Sequence, residues 1–175
     1  MKWQTPHNSV ASPEGLDTFD WKILAVLREN ARATNVEIAQ RVGLSEAPCS
    51  RRIRRLEELG VIEGYTARLN PEAVGVGFRA YVTLVLDYLT GSTAQEFIDC
   101  IAEIPEVVSC YIVSGGYDAI LYVAAADSRS YSDIVFYKLR QITGVKDVRS
   151  SFLMKTIKEA PGLPLLRHED GSSGR

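Results

Sequence analysis

Residues 42–60 have the sequence VGLSEAPCSRRIRRLEELG, which predicts a tight turn followed by a helix. Gly43 suits the left-handed conformation that ends a helix, and Ser45 can cap the helix that follows. This helix is predicted to end at Gly60. Three of its apolar side chains are spaced i, i+4 and i+7 and therefore line one buried stripe, namely Cys49, Ile53 and Leu56.

Two shorter helices are predicted ahead of this turn. Asp17 can cap the first, over residues 19–30, and Thr34 with Glu37 has the spacing of a capping box that opens the second. The apolar faces are expected to hold Phe19, Ile23, Leu24 and Leu27 in the first helix, and Val36, Ile38, Ala39 and Val42 in the second. Three short helices with a tight turn between the last two are typical of a helix-turn-helix, which binds DNA.

The third predicted helix has four arginines, two on each side of Ile53. Because the apolar stripe faces the core, the remaining side chains of its first turns are expected to face solvent or a DNA groove. Each guanidinium can pair with a phosphate or bind a guanine edge. In the alternative interpretation, the arginines pair with Glu57 and Glu58 on a solvated helix. The side chains expected to project are Ser50, Arg51, Arg54 and Arg55, and the full predicted DNA-contacting set is Ser45, Ser50, Arg51, Arg52, Arg54 and Arg55.

Charge and cysteine content restrict the class of protein. The formal net charge is −2, so nucleic-acid binding requires a local basic patch. The three cysteines are odd in number and widely spaced, which indicates a reducing cytoplasm rather than a disulfide framework or a zinc cluster. No apolar run approaches the roughly 20 residues that span a bilayer. The sequence therefore predicts a cytoplasmic protein with no membrane partner, no metal and no cofactor.

After Gly60 the periodicity changes, and a second kind of structure is predicted. Residues 61–69, VIEGYTARL, have the pattern of a short strand, and the glycine-containing segment that follows is typical of a connector. The predicted organisation is a disordered tail (1–15), a helix-turn-helix domain (16–69), a linker (70–77), a second domain (78–159) and a C-terminal tail (160–175).

The second domain alternates strand and helix patterns. The predicted elements are a strand over 78–88, a helix beginning at Ser92 or Thr93, strands over 107–114 and 119–126, a helix beginning at Ser130 and closed by Gly144, and a strand over 145–157. The first of these helices is expected to point Phe97, Ile98, Ile101 and Ile104 inward. This β-α-β-β-α-β order is the ferredoxin-like split unit, with both helices on one face of a four-stranded antiparallel sheet. The chain is thus predicted to be α+β, and the open sheet face, being apolar, needs a partner.

A glycine-rich turn joins the two middle strands and is a candidate ligand site. Its residues are Gly115, Gly116, Tyr117 and Asp118. Glycines let backbone N–H groups approach a bound carboxylate, and an aspartate can accept hydrogen bonds from an ammonium group. The same residues also suit a plain hairpin turn. Nearby Tyr111, Tyr117 and Tyr122 either shape an aromatic pocket or pack on the sheet.

Two segments resemble a known family. Residues 16–75, from LDTFDWKILAVLREN through VGLSEAPCSRRIRRLEELGVIEGY to NPEAVG, are similar to the N-terminal (winged) helix-turn-helix domain of the leucine-responsive regulatory protein/AsnC (Lrp/AsnC, feast/famine) family. Residues 111–127, YIVSGGYDAILYVAAAD, resemble the signature of its effector domain, the RAM (regulation of amino-acid metabolism) fold.

This resemblance has several implications for function. It implies a transcription regulator that binds double-stranded DNA as a homodimer built through paired sheets, assembled further to tetramers or octamers. It also implies an amino acid or related metabolite bound near residues 115–118 between dimers. The resemblance assigns Ser150 and Ser151 to that site more weakly, because either side chain can instead face solvent. Larger side chains are common at position 151 in relatives, so the resemblance does not fix the size of the pocket. The resemblance further implies that the strand over 61–69 pairs with its equivalent in the partner.

Two other functions are compatible with the architecture. Some proteins of this two-part design decarboxylate tetrapyrroles, but here the two histidines, His7 and His168, lie in the predicted tails. No Ser-His-Asp set, metal-ligand spacing or phosphate-binding glycine loop is found in the sequence, so we predict that the protein is not an enzyme. The second alternative is an architectural DNA-binding protein without an effector, which needs only phosphate contacts and an oligomer.

Overall fold

The chain divides into two compact units in the computed structural model, which describes residues 15–87, 91–160 and 162–166. One unit is helical and extends to Arg68. The other contains a sheet and spans Leu69–Ile157. Described residues after position 157 belong to the helical unit.

The helical unit contains three helices, as predicted. They are α1 (Thr18–Glu29), α2 (Asn35–Val42) and α3 (Glu46–Glu58). Both predicted N-terminal caps of α1 and α2 are present, and the box at α2 has Thr34 and Glu37 exchanging hydrogen bonds. Gly43 ends α2 in the left-handed region with φ 78°, which glycine adopts without steric cost. Ser45 occupies the N-cap position of α3, but its side chain makes no capping hydrogen bond, so that detail of the prediction is wrong.

The core of this unit is formed by one face of each helix. Its buried members are Ile23, Val26, Leu27, Ile38, Ala39, Val42, Cys49, Ile53 and Leu56. The predicted stripe of α3 is therefore confirmed. Val36 was expected in this core but is 45% exposed. At about 100° per residue it lies roughly 200° around the helix from Ile38, so it faces solvent when Ile38 faces inward.

The strand predicted over residues 61–69 is wrong for the single chain, since the described part of the helical unit contains no strand. Val61 and Ile62 pack partly against the helical core. The residues after them are exposed and have no regular secondary structure. A strand needs a neighbouring backbone to complete its hydrogen bonds, and the described residues of this chain supply none there.

The sheet unit has the predicted β-α-β-β-α-β order. Its strands are β1 (Phe78–Leu86), β2 (Val107–Ile112), β3 (Ala119–Ala125) and β4 (Val145–Phe152), in the antiparallel order β2-β3-β1-β4. Its helices are α4 (Ser92–Ala102) after β1 and α5 (Ser128–Asp133) after β3. A π-helical turn (Ile134–Lys138) and a 3₁₀ turn (Leu139–Gln141) continue α5.

One predicted cap and two predicted boundaries of this unit are corrected. Helix α4 does begin at Ser92, but its N-cap is Gly91 and no side chain caps it. Helix α5 begins two residues before Ser130, because Asp127 is the cap and accepts hydrogen bonds from the Ser130 N–H and hydroxyl. Strand β4 ends at Phe152, where it pairs with Ala80 near the start of β1 and its partner strand runs out. Position 88 of the first predicted strand lies outside the described residues.

Alternation along β1 and β3 produces two different faces. The inward side chains are buried beneath the helices: Ala80, Val82, Leu84, Ala119, Leu121, Val123 and Ala125. Phe97, Ile101 and Ile104 complete this core from the α4 side, as predicted, and Ile98 packs partly against it. The opposite face is open, with Tyr81 49% and Tyr111 63% exposed. The rings of Tyr81 and Tyr122 lie 5.3 Å apart on this open face.

Candidate nucleic-acid interface and ligand-binding turn

The outer surface of α3 presents part of the predicted DNA-contacting set. Arg51 and Arg54 are exposed, and neither has an ion-pair partner within the described part of the chain. Ser50 is half-buried, and its hydroxyl accepts a hydrogen bond from the Asn35 amide at 3.4 Å. Ser45 is exposed at the N-terminus of the helix. These four side chains are therefore available on the helix that follows the Gly43 turn.

The other two arginines face α1 instead. The Arg52 guanidinium lies 2.7 Å from Asp17 Oδ2 and 2.9 Å from Asp20 Oδ1, and Arg55 Nη1 lies 3.2 Å from Asp20 Oδ2. The hydrogen bonds that Arg52 donates to Asp20 and then to Asp17 raise the pKa of Arg52, so it stays charged. The alternative interpretation of the sequence had the arginines paired with Glu57 and Glu58. In the structure, Arg52 and Arg55 pair with acidic residues at the start of α1 instead.

Helix geometry explains why Arg52 faces α1 and Arg51 faces away from it. At about 100° per residue, Arg52 lies only about 60° from the centre of the buried stripe at Cys49, whereas Arg51 lies about 160° from it. Arg52 therefore borders the core, next to α1. Arg55 is exposed, as expected from the sequence, but it is paired, because its second terminal nitrogen also donates to the Gly15 carbonyl at 3.1 Å.

Asp20, which pairs with Arg52 and Arg55, is a residue that the sequence-based predictions missed. Its side chain is only 1% exposed, although it carries a carboxylate. It lies three residues before Ile23, so it shares the inward face of α1. One signal in the sequence could have identified Asp20. It is a charged residue within an apolar stripe, and such a group needs a buried partner of opposite charge.

A cleft of about 310 Å³ opens beside the exposed surface of α3. Ser50 and Arg54 line it from α3, and Tyr65 closes it from the segment after the helix. The Tyr65 hydroxyl donates to Glu57 Oε1 at 2.8 Å. Burial and then this hydrogen bond to a carboxylate raise the pKa of Tyr65 to about 12, so its hydroxyl remains a donor at neutral pH.

The predicted ligand-binding turn connects β2 to β3 and is anchored by Asp118. The Asp118 N–H donates to the Leu84 carbonyl at 2.9 Å, and Asp118 Oδ2 accepts from the Leu86 N–H at 2.8 Å. Gly115 has φ 135°, a conformation that side chains rarely adopt. Tyr117 is 39% exposed beside the two glycines. Asp118 thus has a structural role at the end of β1 in addition to any contact with a ligand.

Ser150 and Ser151 lie on opposite faces of the sheet. Ser150 is level with Val82 on the helix-covered face, and its hydroxyl accepts a hydrogen bond from the buried Tyr131 hydroxyl. Ser151 is opposite Tyr81 on the open face. At about 3.4 Å per residue, Tyr81 is roughly 17 Å along β1 from Leu86, where Asp118 is anchored. Within one chain, the predicted ligand-binding residues are therefore not brought together.

Neither a metal-binding cluster nor a membrane-spanning helix is found among the described residues. No group of His, Cys, Asp and Glu side chains in this part of the chain could hold a metal ion. None of its helices is both long enough and apolar enough to cross a membrane.

The architecture defines a two-part regulator, with a helix-turn-helix unit followed by a ferredoxin-like sheet unit. Residues 16–63 match the model for winged helix-turn-helix DNA-binding domains, and residues 79–163 match the model for the Lrp/AsnC ligand binding domain. The chain belongs to the Lrp/AsnC family of DNA-binding transcriptional regulators. The predicted family and fold class are confirmed.

Individual relatives support the same assignment. The leucine-responsive regulatory protein of Klebsiella pneumoniae is 34% identical over 145 residues, which cover 83% of this chain and 88% of the relative. A transcriptional regulator of Neisseria meningitidis, solved with L-methionine, superposes with a TM-score of 0.81 at 39% identity, covering 86% of this chain and 97% of that one. The feast or famine regulatory protein of M. tuberculosis, also complexed with L-methionine, has a TM-score of 0.73 at 34% identity, with 82% and 95% covered.

Proposed function

We propose that this regulator binds a specific operator through the outer surface of α3 and that an amino acid bound to its sheet unit changes the affinity for DNA. DNA binding through α3 is supported by the guanidinium groups of Arg51 and Arg54. Both are exposed on the helix after the Gly43 turn, and neither has an ion-pair partner among the described residues. Two half-sites one helical turn apart, about 34 Å, would accommodate the α3 helices of a dimer in successive major grooves.

Direct DNA contacts are assigned to the side chains that face away from the helical core, namely Ser45, Ser50, Arg51 and Arg54. The test begins with sequencing of genomic fragments selected by the purified protein, which supplies the operator. Fluorescence anisotropy on that operator then compares the wild type with an Arg51→Gln/Arg54→Gln variant. The proposal requires a large loss of affinity with an unchanged circular dichroism spectrum, and unchanged affinity would refute it.

The effector proposal rests on the turn at residues 115–118. Glycine N–H groups can approach a carboxylate closely, and Asp118 can accept from an α-ammonium. An amino acid has both groups, and two structural relatives were solved with L-methionine. Because Ser151 is distant within one chain, it joins this site only through a second copy. Ser150 is assigned to packing with Tyr131 rather than to the ligand.

The effector test uses L-methionine first and then the other amino acids. A ligand that binds only the folded state raises the free energy of unfolding, by about 2.7 kcal/mol at one hundred times Kd, and the melting temperature rises with it. Asp118→Asn keeps an oxygen that can accept from the Leu86 N–H but removes the charge that an ammonium requires. The matched control is Asp133→Asn, which removes an exposed carboxylate of the same unit. A response that survives Asp118→Asn unchanged would exclude Asp118 from the site.

Assembly is proposed to use two surfaces of the chain. The open sheet face, with exposed Tyr81 and Tyr111, suits pairing with the same face of another copy. Residues 61–69, which are predicted as a strand but form none in the single chain, suit strand pairing with their equivalent in the partner. We therefore expect a homodimer or a larger even-numbered assembly. Sedimentation equilibrium tests this expectation, and a monomer at micromolar concentration would contradict it.

The functional division of the chain is proposed to follow the predicted boundaries. The helix-turn-helix domain (16–69) binds DNA, the linker (70–77) connects it, and the domain over 78–159 binds effector and assembles. Residues 162–166 belong to the predicted C-terminal tail (160–175), but the Leu163 carbonyl accepts from Arg28 at 3.4 Å. We further propose that the protein acts in the cytoplasm, associated with the nucleoid, and has no catalytic activity, as expected from relatives that are transcriptional regulators.

A further inference from the structure

Asp20 is the one charged side chain that is buried among the described residues, with 1% of its surface exposed. Both of its carboxylate oxygens contact arginines of α3. Oδ1 lies 2.9 Å from Arg52 and Oδ2 lies 3.2 Å from Arg55. Asp17 adds a third ion pair, 2.7 Å from Arg52. The N-terminal turn of α1 is thereby joined to the middle of α3 by four charged side chains.

The cluster holds its arginines firmly because a buried carboxylate is costly without a partner of opposite charge. If either guanidinium moved to a DNA phosphate, Asp20 would lose one of its two charge-assisted hydrogen bonds. Arg52 is held additionally by the Phe19 ring, whose centroid lies 5.5 Å from the guanidinium carbon. The two carboxylates also offset two of the four positive charges on α3. Of the four arginines on α3, only Arg51 and Arg54 have no ion-pair partner within the described residues.

We propose that Asp20 is a positioning residue for operator recognition. It withdraws Arg52 and Arg55 from the DNA and fixes the rotation of α3 on α1, so that the opposite surface of α3 faces the duplex. This inference rests on the proposed function of α3. Because phosphate contacts bind any sequence, withholding two arginines from the backbone also favours the operator over random DNA.

Adjacent arginines provide matched variants for a first experiment. Arg51→Gln and Arg52→Gln remove the same charge one residue apart, as do Arg54→Gln and Arg55→Gln. The measurement is the slope of log K against log salt for binding to random-sequence duplex, where binding is electrostatic. Each lost phosphate contact reduces the magnitude of the slope by about 0.9. We expect this reduction for Arg51→Gln and Arg54→Gln and an unchanged slope for Arg52→Gln and Arg55→Gln.

A second experiment removes the carboxylate itself. Asp20→Asn weakens the hold on Arg52 and Arg55, so the freed guanidinium groups can reach phosphates. The slope on random DNA should become steeper, by about 0.9 for each arginine gained, and the preference for operator over random DNA should fall several-fold. The matched control is Glu29→Gln, which removes a carboxylate of the same helix whose partner is the exposed Arg41 at 2.7 Å. Adding Arg52→Gln to Asp20→Asn should cancel the part of this increase that Arg52 contributes, about 0.9, and leave the part due to Arg55.

The outcomes separate this inference from the proposed function. A slope that falls as much in Arg52→Gln as in Arg51→Gln would overturn the inference, because Arg52 would then contact DNA. An operator preference that is equal in Asp20→Asn and Glu29→Gln would also overturn it. If none of the four arginine variants alters binding, α3 is not the DNA surface, and the proposed function fails instead. Circular dichroism confirms that each variant is folded, and if Asp20→Asn does not fold, the matched arginine pairs decide.

Discussion

The start of β1 passes so close to the end of β3 that a single methyl group at position 77 should disturb the sheet. The Gly77 N–H donates to the Ala126 carbonyl at 3.2 Å. A Cβ atom built on Gly77 would lie 2.6 Å from that carbonyl oxygen. Ordinary C···O contacts are about 3.3 Å or longer, so Gly77→Ala requires the two backbones to separate by about 0.7 Å. The neighbouring pair Phe78 and Ala125 must shift with them.

The expected cost follows from this overlap. Overpacking of a well-packed region costs about 1–3 kcal/mol. Alanine offsets about 0.4–1 kcal/mol of this by restricting the unfolded chain. The net loss is therefore about 1–2 kcal/mol. In a domain of this size, 1 kcal/mol corresponds to about 4–8 °C, so Gly77→Ala should lower the melting temperature of the sheet unit by roughly 5–15 °C.

Differential scanning calorimetry measures this change against a matched control. Gly116 lies in the same unit, a Cβ atom added to it would meet no heavy atom within 4 Å, and its φ is not in the left-handed region. Gly116→Ala should therefore leave stability unchanged or raise it, by at most about 1 kcal/mol. Equal melting temperatures for the two variants would refute the close approach of residue 77 to β3.

Three further changes test the sheet unit. Leu121 has no exposed surface, so Leu121→Ala should cost about 2–5 kcal/mol of unfolding free energy in urea titrations, whereas a cost below about 1 kcal/mol would contradict its central position. Tyr131→Phe removes the hydrogen bond to Ser150 and should cost about 1 kcal/mol, which a double-mutant cycle with Ser150→Ala would assign to this pair. The hydrogen bond from Lys138 lowers the pKa of Glu106, so the pair stabilises the fold above the carboxyl's unfolded pKa and loses this effect as pH falls through its folded pKa. Glu106→Gln should therefore cost about 0.5 kcal/mol at pH 7 and nothing in strong acid, and a cost that is independent of pH would contradict the ion pair.

Local patterns in the sequence predicted the helical unit well. The caps at Asp17 and Thr34 and the glycine at position 43 involve residues within a few positions of each other, and all three have the predicted geometry. The buried stripe of α3 follows from helix periodicity alone. The order of strands and helices in the sheet unit was likewise predictable, because each element is long enough for its period to be recognised.

The main errors at the candidate DNA interface concern contacts between residues that are distant in sequence. Arg52 and Arg55 are 32 and 35 residues from Asp20, and no local pattern shows that α1 lies against their side of α3. The strand predicted over 61–69 depends on a neighbouring backbone that the single chain does not provide. Strand alternation alone does predict that Ser150 and Ser151 face opposite ways, so assigning both to one site was an avoidable error.

The proposed function depends most on which surface of α3 meets the DNA. A crystal structure of the protein bound to its operator tests this directly. We predict that the guanidinium groups of Arg51 and Arg54 lie within hydrogen-bonding distance of the duplex, about 3 Å, while Arg52 remains paired with Asp17 and Asp20. A complex in which α3 does not contact the duplex, or in which Arg52 has left Asp20 for a phosphate, would contradict this mode of binding.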